Sequence, residues 1–138
     1  MSHVLDTSAV IALLRGEPGA AVVEGLLAGS RITQINLSEI LRTADRLELP
    51  VLGAELASDL AALTGPFESA ATVDAVRAAE LITLSYTERP DGRTNGVLSY
   101  GDAWCIATAE RLGLPVLTAE RAWADLQGHL TTKIALIR

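Results

Sequence analysis

Short apolar runs alternate with longer stretches of helical periodicity along the chain. His3–Asp6 (HVLD) predicts a short strand that ends on an acid. Thr7–Leu14 supplies small and branched apolar residues for a buried helix, and the run Gly16 to Gly19 (GEPG) punctuates it. Ala20–Leu27 sets Val22, Val23, Leu26 and Leu27 at helical spacing before a stop at Gly29. Ile32–Gln34 reads as a second strand. Asn36–Leu47 reads as a helix with Leu37, Ile40, Leu41, Ala44 and Leu47 on one stripe, and Ala54–Leu63 as another, closed by Gly65 and Pro66. Phe67 marks a short third strand, and Val73–Leu84 a helix. Thr87–Gly96 (TERPDGRTNG) is polar, turn-rich and the longest loop, a kind of segment that often carries function. Tyr100–Leu112 is a helix ending at Gly113. Pro115–Thr118 is a strand, Arg121–Leu126 a short helix, and Ile134–Ile137 the last strand.

Strands that alternate with helices imply a parallel sheet covered on both faces. The expectation is α/β: one three-layer α/β/α domain over residues 1–138, its central sheet mostly parallel, with no internal repeat. The chain's 138 residues suffice for a real core. An apolar content of 49% excludes disorder. The single cysteine, Cys105, excludes an internal disulfide and a cysteine-rich zinc site. No apolar run approaches a membrane span and the start has no signal-peptide shape, so the expected location is cytoplasmic. The net charge of −6 argues against a nucleic-acid coat, which needs a basic face. It leaves room for an enzyme that meets phosphate through a metal, with the protein supplying the carboxylates.

Ligands of open parallel sheets bind beyond the carboxyl ends of the strands. In this topology four distant segments bring an acid to that edge. Asp6 ends the first strand, and Glu39 sits in the first turn of the helix after the second. Asp102 opens the helix after the long loop, and Glu120 follows the Pro115–Thr118 strand. Clustered carboxylates repel one another and resist desolvation. A divalent cation relieves both costs, and hard oxygen donors suit Mg²⁺ or Mn²⁺. Such an ion orients water and offsets charge on a phosphodiester, which is the chemistry of a metal-dependent nuclease.

Taken singly, each acid also has a purely structural use. Asn36–Glu39 (NLSE) and Ser99–Asp102 (SYGD) fit a capping box or a near variant of it. Asp6 suits the cap of the helix that starts at Thr7, and Glu120 favours a helix N-terminus. The joint reading depends on the sheet being parallel.

VLDTSA at residues 4–9, NLSE at 36–39, LSYGDA at 98–103 and GLPVLTAERAW at 113–123 resemble the PIN-domain family, in particular its VapC-type toxins of bacterial toxin–antitoxin pairs. The likeness covers nearly the whole chain in the family's order and spacing. It implies an endoribonuclease using Mg²⁺ or Mn²⁺, with RNA as substrate and water attacking the phosphodiester. It also implies a homodimer, and inhibition by a small VapB-type antitoxin whose tail enters the acidic site. Asp6, Glu39 and Asp102 match the family's three core acids, with Asp6 and Asp102 as metal ligands. The fourth is usually Asp; here it is Glu120, one methylene longer, with Asp125 as the back-up. Thr7 and Ser8 match the polar pair after the first acid and, with Thr118, are expected to support the acids from behind.

Other residues add less. Arg89 and Arg93, on the polar loop before Asp102, are the arginines best placed for RNA phosphate; Arg42, Arg46 and Arg121 are further candidates. His3 and His129 have no histidine partner at ligand spacing. Cys105 reads as core, and Trp104 as core edge or interface anchor. Two other functions compete with the nuclease: a PIN-fold binding module with weakened catalysis, and a phosphoacceptor signalling domain. The second requires paired acids on the first strand and a late lysine; only Lys133 is available.

Overall fold

The computed structural model describes residues 2–87 and 97–138. Its elements run β1 (Val4–Leu5), α1 (Thr7–Arg15), α2 (Ala20–Leu26), α3 (Gln34–Arg46), α4 (Gly53–Thr64), α5 (Thr72–Thr87), α6 (Tyr100–Leu112), β2 (Val116–Thr118), a 3-10 helix (Arg121–His129) and β3 (Ile134–Leu136). The strands lie side by side in the order β1-β2-β3, and both pairings are parallel.

Successive strand residues face opposite sides of a sheet, and this alternation builds three layers. Leu5 and Leu117 face one side and pack with α1 to α4. Val4, Val116 and Ile134 face the other and pack with α5, α6 and Trp123. Every residue of β1 and β2 is buried, whereas in β3 only Ile134 is.

Helix α6 shows why its periodicity is weak in the sequence. Gly101, Ala103 and Cys105 to Ala109 are all buried, and the helix touches α5, α3, β1 and β2. Burial on successive positions rather than on one stripe makes it largely an interior helix, with Tyr100 and Arg111 exposed near its two ends. Its small residues bring neighbouring backbones close, which sets Asp102 at the sheet edge. Among the described residues no helix is long and apolar enough to cross a membrane.

Four local expectations are corrected. The segment Ile32–Gln34 is not a strand: Arg31 and Thr33 make single parallel bridges, to Val4 and Glu68. Thr33 then turns the chain into α3 by accepting from the Asn36 backbone N–H at 3.0 Å. Helix α3 therefore starts ahead of Asn36, which is not its cap, and Glu39 lies in its second turn. The region of Phe67 contributes only the bridge at Glu68. Helix α5 extends to Thr87, taking the start of the expected long loop; the rest of that loop, with Arg89 and Arg93, lies outside the described residues.

Candidate active site

The parallel register aligns the carboxyl ends of β1 and β2. Val4 pairs with Val116 and Leu5 with Leu117, so Asp6 and Thr118 come next, abreast. The Thr118 hydroxyl donates to Asp6 Oδ2 at 2.9 Å. Asp6 also caps α1: Oδ2 accepts from the Ser8 hydroxyl at 2.6 Å and the Ser8 backbone N–H at 3.3 Å. Both hydroxyls are held in turn, Ser8 Oγ by the Ala119 N–H at 3.0 Å and Thr118 Oγ1 by the Glu120 N–H at 3.0 Å. Ser8 and Thr118 thus both bond the same oxygen of Asp6.

The other oxygen of Asp6 differs. Oδ1 is buried and has no hydrogen-bond partner among the described residues. Burial, with the charge of Asp102 adding to it, raises the Asp6 pKa to about 7 against the Ser8 and Thr118 hydrogen bonds.

Glu39 is steadied by two neighbours. Its Oε1 accepts from the Thr7 hydroxyl at 3.2 Å and from Asn36 Nδ2 at 3.0 Å. The same amide reaches Thr7 Oγ1 and the Gly101 carbonyl, both at 3.3 Å. Gly101 has no room for more: a β-carbon there would overlap the Glu39 carboxylate. Burial first, then Asp102, raises the Glu39 pKa, opposed by the Thr7 and Asn36 bonds.

Asp102 belongs to a full capping box. Its backbone N–H donates to Ser99 Oγ at 3.1 Å, and its Oδ2 accepts from the Ser99 N–H at 3.0 Å. Its pKa is raised by burial, against these bonds. Capping and chemistry are thus compatible at Asp6 and Asp102, because a cap occupies one carboxylate oxygen and leaves the other.

Asp6, Glu39, Asp102 and Glu120 line one cavity of about 280 Å³, together with Thr7 and Ser8. Glu120 is exposed on its rim. Asp125 is exposed and is not part of the lining. Lys133 precedes β3, at the opposite end of the sheet from the acids, so the cation a phosphoacceptor site requires is misplaced. Cys105 is fully buried, and burial, then the charges of Asp6, Asp102 and Glu39, push its thiol well above the usual range; it is no nucleophile. Trp104 is half-buried against the core of α5 and α6. Arg42, Arg46 and Arg121 are exposed and outside the cavity lining.

The sequence reading missed Asn36, Gly101, Glu17, Thr43 and Arg138. Asn36 carried a signal, since a fully buried amide next to an acid one turn on is costly unless it is bonded. Arg138 carried none, because nothing local ties it to the sheet edge.

The donor set fits a hard divalent cation. All four acids offer oxygen, one buried carboxylate oxygen lacks a donor among the described residues, and burial makes the three deeper acids harder to ionise. Among the described residues no three His, Cys, Asp or Glu side chains group tightly enough to enclose an ion alone. An open site suits Mg²⁺, which keeps several waters.

A parallel α/β fold with acids gathered at the carboxyl edge defines the class. Residues 3–128 match the PIN domain model, and the chain belongs to the PIN-domain family. It is similar to Ribonuclease VapC of Mycolicibacterium smegmatis, 34% identical over 117 residues that cover 83% of this chain and 88% of that protein. Among solved structures it resembles a toxin–antitoxin complex from Klebsiella pneumoniae (TM-score 0.64, 21% identity, 91% of each chain). It also resembles VapBC-1 from nontypeable Haemophilus influenzae (TM-score 0.63, 17% identity, 99% of this chain and 98% of that one). At these identities the solved structures establish the fold.

Proposed function

We propose that this protein is a metal-dependent endoribonuclease, the toxin of a VapC-type toxin–antitoxin pair. The observation that carries the reading is Asp6: a buried carboxylate at the sheet edge with one oxygen fixed and the other without a partner among the described residues. The M. smegmatis relative, named as a ribonuclease, supports the choice of RNA.

Asp6 and Asp102 are the residues that would hold Mg²⁺ or Mn²⁺, with Glu120 lining the same cavity. When bound, the ion would supply positive charge against a phosphodiester and lower the pKa of water. The chain's own residues do the rest. Ser8 and Thr118 lock Asp6 Oδ2, so Oδ1 keeps one direction. Thr7 and Asn36 hold Glu39 Oε1. Glu39, fixed by these two bonds, is the residue that takes the proton of the attacking water. No side chain in the lining is placed as an acid for the leaving oxygen, so solvent protonates it.

The partner is a VapB-type antitoxin, a reading supported by the toxin–antitoxin complexes among the structural neighbours. An acid-lined cavity suits the basic tail of such a protein. The protein works as a homodimer in the cytoplasm, an expectation carried over from the family resemblance.

The test is cleavage of defined RNAs by the purified chain with Mg²⁺, Mn²⁺ or chelator, with the ends of the products mapped. Internal cuts that need the ion and vanish in Asp102→Asn are expected. Equal cutting with chelator, or in the variant, would refute the proposal.

A further inference from the structure

We infer that Arg138 is a phosphate-contacting residue of the same cavity, gripping the RNA backbone beside the acids; this rests on the ribonuclease reading above. Arg138 is the one basic residue among the described residues that line the cavity. A polyanion approaching a ring of carboxylates is repelled, and a fixed cation at the mouth both offsets that repulsion and sets where the backbone lies.

The fold holds Arg138 there deliberately. Ile137 is buried, and its N–H donates to the Thr118 carbonyl at 3.0 Å, continuing the strand pairing. Gly19, at φ 95°, lets the chain lie against the α1–α2 turn: a β-carbon on it would fall 2.7 Å from the Ile137 carbonyl oxygen. Arg138 Nη1 then donates to the Pro18 carbonyl at 2.9 Å and approaches Glu17 Oε1 at 3.4 Å.

This clasp does not consume the arginine. Glu17 is shared, because its other oxygen meets Arg15 at 3.3 Å. Both contacts of Arg138 run through Nη1, and among the described residues nothing accepts from Nε or Nη2. That pair of donors is the edge that matches a phosphate two-fold. Arg77, on the far side of the molecule, has the opposite character: Nε, Nη1 and Nη2 all donate to protein acceptors.

The test compares wild type, Arg138→Ala and Arg138→Lys in cleavage of a short RNA with Mn²⁺ over a range of salt. Thermal melts confirm folding, and Lys, which keeps the charge and one donor to Pro18, covers the case of an unfolded Ala variant. Expected is a rise in KM of about tenfold or more for Ala with kcat within about threefold, and a smaller rise for Lys. The salt slope of log KM should shallow by about 0.7, one phosphate on single-stranded RNA. Wild-type KM and slope in both variants would overturn the role of Arg138 and leave the nuclease reading intact. Failure of wild type to cleave any RNA would overturn the nuclease reading instead. Arg138 is then judged by anisotropy with labelled RNA: about tenfold weaker binding in Ala supports it, and equal binding, or none in either protein, overturns it.

Discussion

Asp74 and Asp6 are 1% and 2% exposed, and they meet the cost of burial in opposite ways. Both oxygens of Asp74, on α5, are matched: Arg111 Nε and Nη2 donate at 2.9 and 3.1 Å, and Thr108 adds a third bond at 3.3 Å. Beside it, Arg77 grips Glu110 at 2.8 and 3.3 Å, with help from the Thr131 N–H and hydroxyl. Burial alone would raise the Glu110 pKa, but these bonds overcome it and the pKa is lowered. At the sheet edge no arginine among the described residues matches Asp6, and burial raises its pKa to about 7. Acids on the α5–α6 face are solved internally and fasten two helices together. At the edge, Asp6 Oδ1 has no partner among the described residues.

Substitution breaks this contrast most strongly. Asp6→Asn and Asp102→Asn should lower RNA cleavage by at least about 100-fold, the scale of losing a main electrostatic group, with the fold retained by circular dichroism. Asp74→Ala should do the reverse: destabilise by about 2–3 kcal/mol in urea melts, because it strands Arg111 and Thr108, while activity per folded molecule persists. Loss of activity at Asp74 with unchanged stability would erase the distinction between the two faces.

The pH dependence sharpens it. The folded pKa of Asp6 is raised above its ordinary value of 3.8, so between those values the folded state binds the extra proton. Stability in chelator is then greatest at the acid end and falls as pH rises through about 7. At about 1.4 kcal/mol per unit the whole effect is at most about 4 kcal/mol. Asp6→Asn should flatten the curve and raise Tm near pH 8, and millimolar Mn²⁺ should lift wild type there. A curve for wild type that rises from pH 5 to 8 in chelator would contradict the electrostatics of the edge.

Glu120→Gln should have the smallest effect, roughly tenfold in kcat, about 1.4 kcal/mol, because the side chain stands on the exposed rim.

Much of this contrast was legible in the chain. An acid at the end of an apolar run and an acid three residues after a serine cap are local signals, and they marked Asp6 and Asp102. The layers followed from alternating strands and helices. The start of α3 was not legible, since Thr33 and Asn36 are both competent caps by local chemistry. The choice is made elsewhere, by the need of the Asn36 amide for Thr7, Glu39 and Gly101. Gly101 itself read as one small residue among many in α6; its role shows only once Glu39, from a helix some sixty residues earlier, is placed against it. Arg138 depends on the meeting of Gly19 and Ile137, a contact across nearly the whole sequence.

The most direct measurement is calorimetric titration of the chelator-treated protein with Mn²⁺ at pH 6 and pH 8, each in two buffers of different ionisation heat. Filling the edge must displace the proton held by Asp6, so binding should release about one proton at pH 6 and nearly none at pH 8, with both binding and release lost in Asp6→Asn and kept in Asp74→Asn. Absence of binding at millimolar Mn²⁺, or binding that Asp6→Asn leaves unchanged, would contradict the claim that these acids await a cation.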